Sequence, residues 1–109
     1  MDLNEYQSRA RATALYPDVG SNYIYPVLGL VGEAGELANK VKKISRDHGG
    51  VLDDGQKQAI AEELGDTLWY VANLAAELGI LLDTVASRNL EKLSSRKHRG
   101  TLHGVGDNR

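Results

Sequence analysis

Apolar residues recur three and four positions apart along most of the chain, the period of an amphipathic helix. No stretch alternates with period two, so no strand is expected. The pattern predicts a first helix over about residues 3–15, with Tyr6, Ala10 and Ala14 on one face and Asn4 placed to cap it. Residues 16–22, Tyr-Pro-Asp-Val-Gly-Ser-Asn, read as a turn-rich loop. A second helix is expected over about residues 25–47, with Pro26 in its first turn and an apolar stripe of Leu30, Ala34, Leu37, Val41 and Ile44. His48-Gly49-Gly50 stops it. Asp53-Asp54-Gly55 makes a turn and caps a third helix over about 56–78, striped by Leu64, Leu68, Val71, Ala75 and Leu78. Gly79 suits a left-handed end. A fourth helix, about 82–97, turns Val85, Leu90 and Leu93 inward. The expectation is an all-α bundle of about four helices over residues 1–98. Residues 99–109 form a Gly-rich basic tail, ordered only if something holds it.

The chain has 109 residues, the length of one domain. Aromatic content is 6%, with no Phe, so one subunit supplies a small core and homo-oligomerisation is expected. A formal charge of −2 argues against a broad electrostatic grip on nucleic acid. Without cysteine there are no disulfides, thiolate metal sites or cysteine nucleophiles. The acidic, staple-free composition fits a cytoplasmic protein. No run approaches the ~20 apolar residues of a membrane span, and the first residues lack the basic flank and apolar core of a signal peptide.

The third helix is unusual on its polar side. With Asp66 at the centre of a helical wheel, Glu62, Glu63, Trp69, Tyr70, Asn73 and Glu77 all fall within about 60°. No Lys or Arg lies between Lys57 and Arg88. Carboxylates sharing a face repel unless a cation sits among them. The second helix carries a matching pair, Glu33 and Glu36, one turn apart beside the apolar stripe. Packed antiparallel, the two helices would bring Glu33, Glu36, Glu63 and Asp66 together. An all-oxygen site of this kind suits Mg²⁺ or Mn²⁺. A di-iron bundle would need Glu-x-x-His pairs, and His48, His98 and His103 lie elsewhere. Spacing alone does not separate a metal site from the acids of a solvated surface, because Glu is a favoured helix residue. Gly29, Gly32 and Gly35 are not a phosphate loop, lacking the Gly-Lys-Ser/Thr ending and a preceding strand. Three apart within a helix, they point instead to close packing or substrate access.

Gly-Glu-Ala-Gly-Glu-Leu at 32–37, followed by Glu-Glu-Leu-Gly-Asp-Thr-Leu-Trp-Tyr at 62–70, resembles the MazG-type nucleoside triphosphate pyrophosphohydrolases. Their signature is Glu-x-x-Glu on one helix and Glu-x-x-Asp on the next. Asn89, Lys92 and Arg96 are similar to the Asn/Lys/Arg run that follows in that family, and the resemblance extends from Tyr6-Gln7 to Arg99. It implies an all-α homodimer or homotetramer that cleaves a nucleoside triphosphate, a dNTP or non-standard NTP, between the α and β phosphates with Mg²⁺. Glu33, Glu36, Glu63 and Asp66 would then be the metal ligands, and Glu33 would also activate the attacking water. Many members carry a further Glu where this chain has Gly32, leaving one carboxylate fewer here.

Acidic residues bind an anionic triphosphate only through metal, so cations must help. Lys92 and Arg96 share a face and suit the phosphates. Lys40 is a further candidate, although pairing with Glu36 at i, i+4 is the simpler role. Trp69, Tyr70 and Asn73 are candidates for the base, by stacking and by an amide. The basic tail would close over a phosphate site. Two other functions fit the same residues: phosphoribosyl-ATP pyrophosphohydrolysis, and a nucleotide-sensing helical module without turnover.

Overall fold

The computed structural model describes residues 1–109 as four helices and no strands. They are α1 (Leu3–Ala12), α2 (Ile24–His48), α3 (Asp54–Glu77) and α4 (Leu82–Arg99). Asp2, rather than Asn4, caps α1 by accepting from the Glu5 amide at 2.7 Å. The helix ends earlier than the periodicity suggests, because the Thr13 hydroxyl turns back to the Ala10 carbonyl at 2.7 Å.

α2 and α3 form a long antiparallel hairpin. Gly49 and Gly50 both take positive φ, 62° and 78°, which ends α2 and reverses the chain. Asp53 then opens α3 with a reciprocal capping box to Gln56. The register sets Gly29 against Tyr70 and Lys40 against Glu63.

α1 lies across α3 and α4, and its side chains dock the last helix. Gln7 accepts from the Leu82 amide at 2.9 Å and donates to the Ile80 carbonyl at 2.9 Å. Asn4 accepts from the Asp83 amide at 3.0 Å. Two side chains of α1 therefore satisfy amides that α4, with no cap of its own, leaves open. The core at this junction is small: Ala10, Ala72 and Leu82, with Tyr6, Trp69 and Val71 packed around it.

A single chain does not close into the expected bundle. α3 and α4 diverge by 102°, so Val85, Leu90 and Leu93 are exposed rather than inward. Leu28 and Val31 on α2 are likewise exposed. No single helix is long and apolar enough to cross a membrane.

Of the three α2 glycines, only Gly29 makes a close approach within the chain. A Cβ there would overlap the Tyr70 ring, whereas Gly32 and Gly35 face open space, so of the expected close packing or substrate access, packing within the chain holds at Gly29 alone. Gly29→Ala is therefore expected to cost about 1–3 kcal/mol by overpacking, while Gly35→Ala costs nothing, since Ala is the better helix former. Equal denaturation midpoints for the two variants would contradict this.

Candidate metal and nucleotide site

Antiparallel packing of α2 on α3 brings the two acidic motifs face to face. One carboxylate oxygen each from Glu33, Glu36 and Glu63 lies within 4.8 Å of the others. Asp66, the fourth expected ligand, stands outside that trio. It is exposed and lines a cleft of about 230 Å³ with Glu33, Trp69 and Tyr70. The cleft thus runs from the carboxylates to two aromatic rings, as the helical wheel implies.

Lys40 supplies the counter-charge that the acidic face of α3 lacks. Its ammonium sits 2.8 Å from Glu63 Oε1, not on Glu36 as its i, i+4 spacing suggests. Glu63 is buried, and its second oxygen, Oε2, has no hydrogen-bond partner. An orphaned buried carboxylate oxygen is costly unless something positive meets it. Glu63 and the two carboxylates beside it, Glu33 and Glu36, make the donor set of a hard divalent cation, so these residues fit Mg²⁺ or Mn²⁺.

The cluster's proton affinity carries the same message. A hydrogen bond to Glu63, then desolvation and the charges of Glu36, Glu63 and Asp66, push the Glu33 carboxyl up to about 7. The Lys40 ammonium, and then the hydrogen bond with Glu33, hold Glu63 below the ordinary carboxylate range. Glu33 is therefore the carboxyl of the cluster that takes up a proton first, while Lys40 keeps Glu63 ionised.

This sets a pH dependence. A carboxyl raised in the folded state contributes stability at low pH that is lost as pH rises from its ordinary value through about 7. Without divalent cation, the melting temperature should fall between pH 5 and 7.5. Mg²⁺ or Mn²⁺ should restore it at the upper end by replacing the proton. A metal-free melting temperature that rises over this interval would contradict the raised Glu33 carboxyl.

The remaining expected substrate residues are dispersed. Trp69 and Tyr70 are half-buried at the cleft. Asn73, expected to face the base, is fully buried. Its amide nitrogen donates to the Trp69 carbonyl at 3.0 Å and its oxygen accepts from Arg11 at 3.2 Å, so neither end is free for a ligand. Asn89 is exposed midway along α4 and lines an apolar groove with Leu68 and Val85 that includes none of the carboxylates. Lys92 and Arg96 lie farther along α4 and are held by the tail. Lys92 is 2.8 Å from Asp107, Arg96 is 3.1 Å from the same carboxylate, and Arg96 also meets the Asp107 carbonyl. Arg96 is buried by these contacts. Arg109 closes the tail on itself by donating to the carbonyls of Thr101 and Leu102 at 3.0 and 2.7 Å, and Arg99 of α4 donates to the Arg109 carbonyl at 2.8 Å. It covers the α4 cations with an acid, instead of bringing its own cations to the acidic site.

One group was not singled out in the sequence as a site residue. Glu77 carries a side chain only 1% exposed. It accepts from the Tyr16 hydroxyl at 2.5 Å, the Gly20 amide at 2.9 Å and the Asn22 amide at 3.3 Å, and pairs with Arg11 at 3.1 Å. Burial works against its charge, but these donors outweigh it and draw the carboxyl down to about 2. The available signal was an acid two turns beyond Trp69, in a stretch with no Lys or Arg between Lys57 and Arg88.

Residues 25–100 match the MazG nucleotide pyrophosphohydrolase domain. The chain is 51% identical to the Gene 37 protein of Mycobacterium phage L5 over the full length of both. It is 39% identical to the uncharacterised protein YvdC of Bacillus subtilis (strain 168), over 62% of this chain and 68% of that one. No solved structure matches. The paired acidic motifs, the helical hairpin that joins them and the extent of the match lead to one conclusion: this chain belongs to the MazG nucleotide pyrophosphohydrolase family.

Proposed function

We propose that the protein hydrolyses nucleoside triphosphates, dNTPs or non-standard NTPs, to the monophosphate and pyrophosphate with Mg²⁺ or Mn²⁺. The observation that carries this reading is the unpartnered, buried Glu63 Oε2 among three converging carboxylates at the mouth of an aromatic cleft. Glu33, Glu36 and Glu63, with Asp66 across the cleft, hold the cation. A cation held there would supply positive charge to offset that of the triphosphate and of the leaving pyrophosphate. With the cluster's charge offset, Glu33 is ionised at neutral pH and takes a proton from water. The water oxygen attacks the α phosphorus, and the bond from that phosphorus to the α–β bridging oxygen breaks. Lys40 keeps Glu63 ionised and in place. Trp69 and Tyr70 receive the base.

The protein acts as a homodimer or homotetramer in this reading. Its surface is 7609 Å², about 1,700 Å² more than a compact monomer of this mass exposes. Its radius of gyration is 16.7 Å, against about 13 Å for a compact chain of this length. The excess is ample for a stable interface. The cleft alone is smaller than the roughly 300–1,000 Å³ of most ligand sites. A second copy would complete it and carry Lys92 and Arg96 to the phosphates. In that case Asp107→Asn, which removes the ion pairs of Lys92 and Arg96 while leaving Arg96 on the Asp107 carbonyl, should lower KM about two- to fivefold; an unchanged KM would separate these cations from substrate.

The test is incubation with a panel of standard and modified triphosphates, with and without Mg²⁺, and chromatographic separation of products. Monophosphate and pyrophosphate formed only with metal support the proposal. Diphosphate and phosphate, or no turnover on any substrate, would reject it. In the latter case a melting temperature still raised by Mg²⁺ and triphosphate would favour the nucleotide-sensing alternative.

A further inference from the structure

Four aromatic rings stand beside the acidic cluster, and they are held from outside the cleft. Tyr16 stacks on Tyr25 with centroids 4.8 Å apart, and meets Trp69 edge-on at 6.3 Å. Trp69 in turn meets Tyr70 edge-on at 5.0 Å. The Trp69 indole N–H donates to the Thr13 hydroxyl at 2.7 Å, just beyond the end of α1. The Trp69 carbonyl is tied through Asn73 to Arg11. Arg11 and Tyr16 both end on Glu77, which also gathers the amides of Gly20 and Asn22. A single buried carboxylate therefore fixes the segment 13–22 against α3 at three points, Tyr16, Gly20 and Asn22, and ties it to α1 through Arg11. Glu77 lies eight residues from Trp69, about 12 Å along the helix, too far to meet a ligand in the cleft. A buried charge is a poor source of net stability, but it enforces one arrangement over others.

We infer that segment 13–22, clamped by Glu77, is the element that selects the nucleobase: it fixes the orientation of Trp69 and Tyr70 through Thr13 and Tyr16. Thr13 and Glu77 are positioning residues here. The inference rests on the cleft being a nucleotide site, and a pre-set aromatic wall discriminates between bases only while its rings cannot re-orient.

The test uses Thr13→Val, because Thr13 is exposed and its loss leaves the core intact. Thr13→Ser serves as the conservative control and Glu77→Gln as the second variant. Trp69 is the only tryptophan in the chain, so its fluorescence reports the wall directly. Binding is read by this signal with α,β-methylene triphosphates of each base, and hydrolysis is followed in parallel. The expected result for Thr13→Val is an altered Trp69 emission and an affinity for the preferred triphosphate that falls about three- to tenfold. Discrimination between bases narrows by a similar factor, and kcat stays within about twofold, as expected for lost ground-state binding. Thr13→Ser behaves as the wild type, and Glu77→Gln shifts in the same direction as Thr13→Val. Unchanged discrimination in Thr13→Val and Glu77→Gln, with hydrolysis intact, would overturn the inference and leave the pyrophosphohydrolase reading standing. Base-selective binding lost in Thr13→Val, with no hydrolysis by the wild type, would do the reverse. No binding of any triphosphate by the wild type would overturn both.

Discussion

Glu36→Gln is expected to slow triphosphate hydrolysis by at least about a thousandfold, in line with losing one charged group at the reacting phosphates. The same change should leave the metal-free protein as stable as the wild type, or more so. Glu36 is exposed and contributes to the cluster mainly by its charge. That charge is one of the causes that raise Glu33. Neutralising it relieves repulsion, so the Glu33 carboxyl moves back towards its ordinary value and the fall in stability between pH 5 and 7.5 becomes shallower. Activity and stability therefore move in opposite directions, which separates a metal ligand from a structural acid. Steady-state rates and melting temperatures with and without Mg²⁺ measure both. A variant that keeps a tenth of the activity would remove Glu36 from the site.

Glu77→Ala should do the opposite: a large loss of stability. Removing the carboxylate leaves Arg11, the Tyr16 hydroxyl and two loop amides without their acceptor. Breaking a buried ion pair from one side costs about 3–5 kcal/mol, which lowers the melting temperature of a chain this size by at least about 10 °C. Comparison requires a fixed subunit concentration, because association contributes to stability. The wild type should also lose stability as pH falls from the ordinary carboxylate range towards about 2, where Glu77 is protonated. A loss below about 1 kcal/mol in Glu77→Ala would show that loop 16–22 is held by something else.

Both carboxylate pairs were readable as sequence because each sits one turn apart on a helix whose apolar stripe is regular. Once the stripes of α2 and α3 face each other, the acids beside them must meet. The helix stops were equally local: Gly49 and Asp53 act through their own backbone and side chain. Partner choice was not local. Lys40 is four residues from Glu36 yet pairs with Glu63, because the hairpin register places α3 nearer. Asn4 has the chemistry of a cap, but it caps α4, 79 residues away, while Asp2 takes the expected place. Asn73 and Glu77 share the polar wheel of Asp66, yet α1 and loop 16–22 cover that end of α3 and turn both inward. Val85, Leu90 and Leu93 have helical spacing and no partner in the chain, since α4 departs from α3 at a steep angle. Periodicity identifies an apolar face without saying whether the same chain covers it.

The reaction is tested most directly by hydrolysis of a deoxynucleoside triphosphate in ¹⁸O-labelled water with Mg²⁺, followed by mass spectrometry of both products. Attack by water at the α phosphorus, with proton transfer to Glu33, places a single label in the monophosphate and none in pyrophosphate. Label in pyrophosphate, or release of labelled inorganic phosphate with a diphosphate, would contradict it.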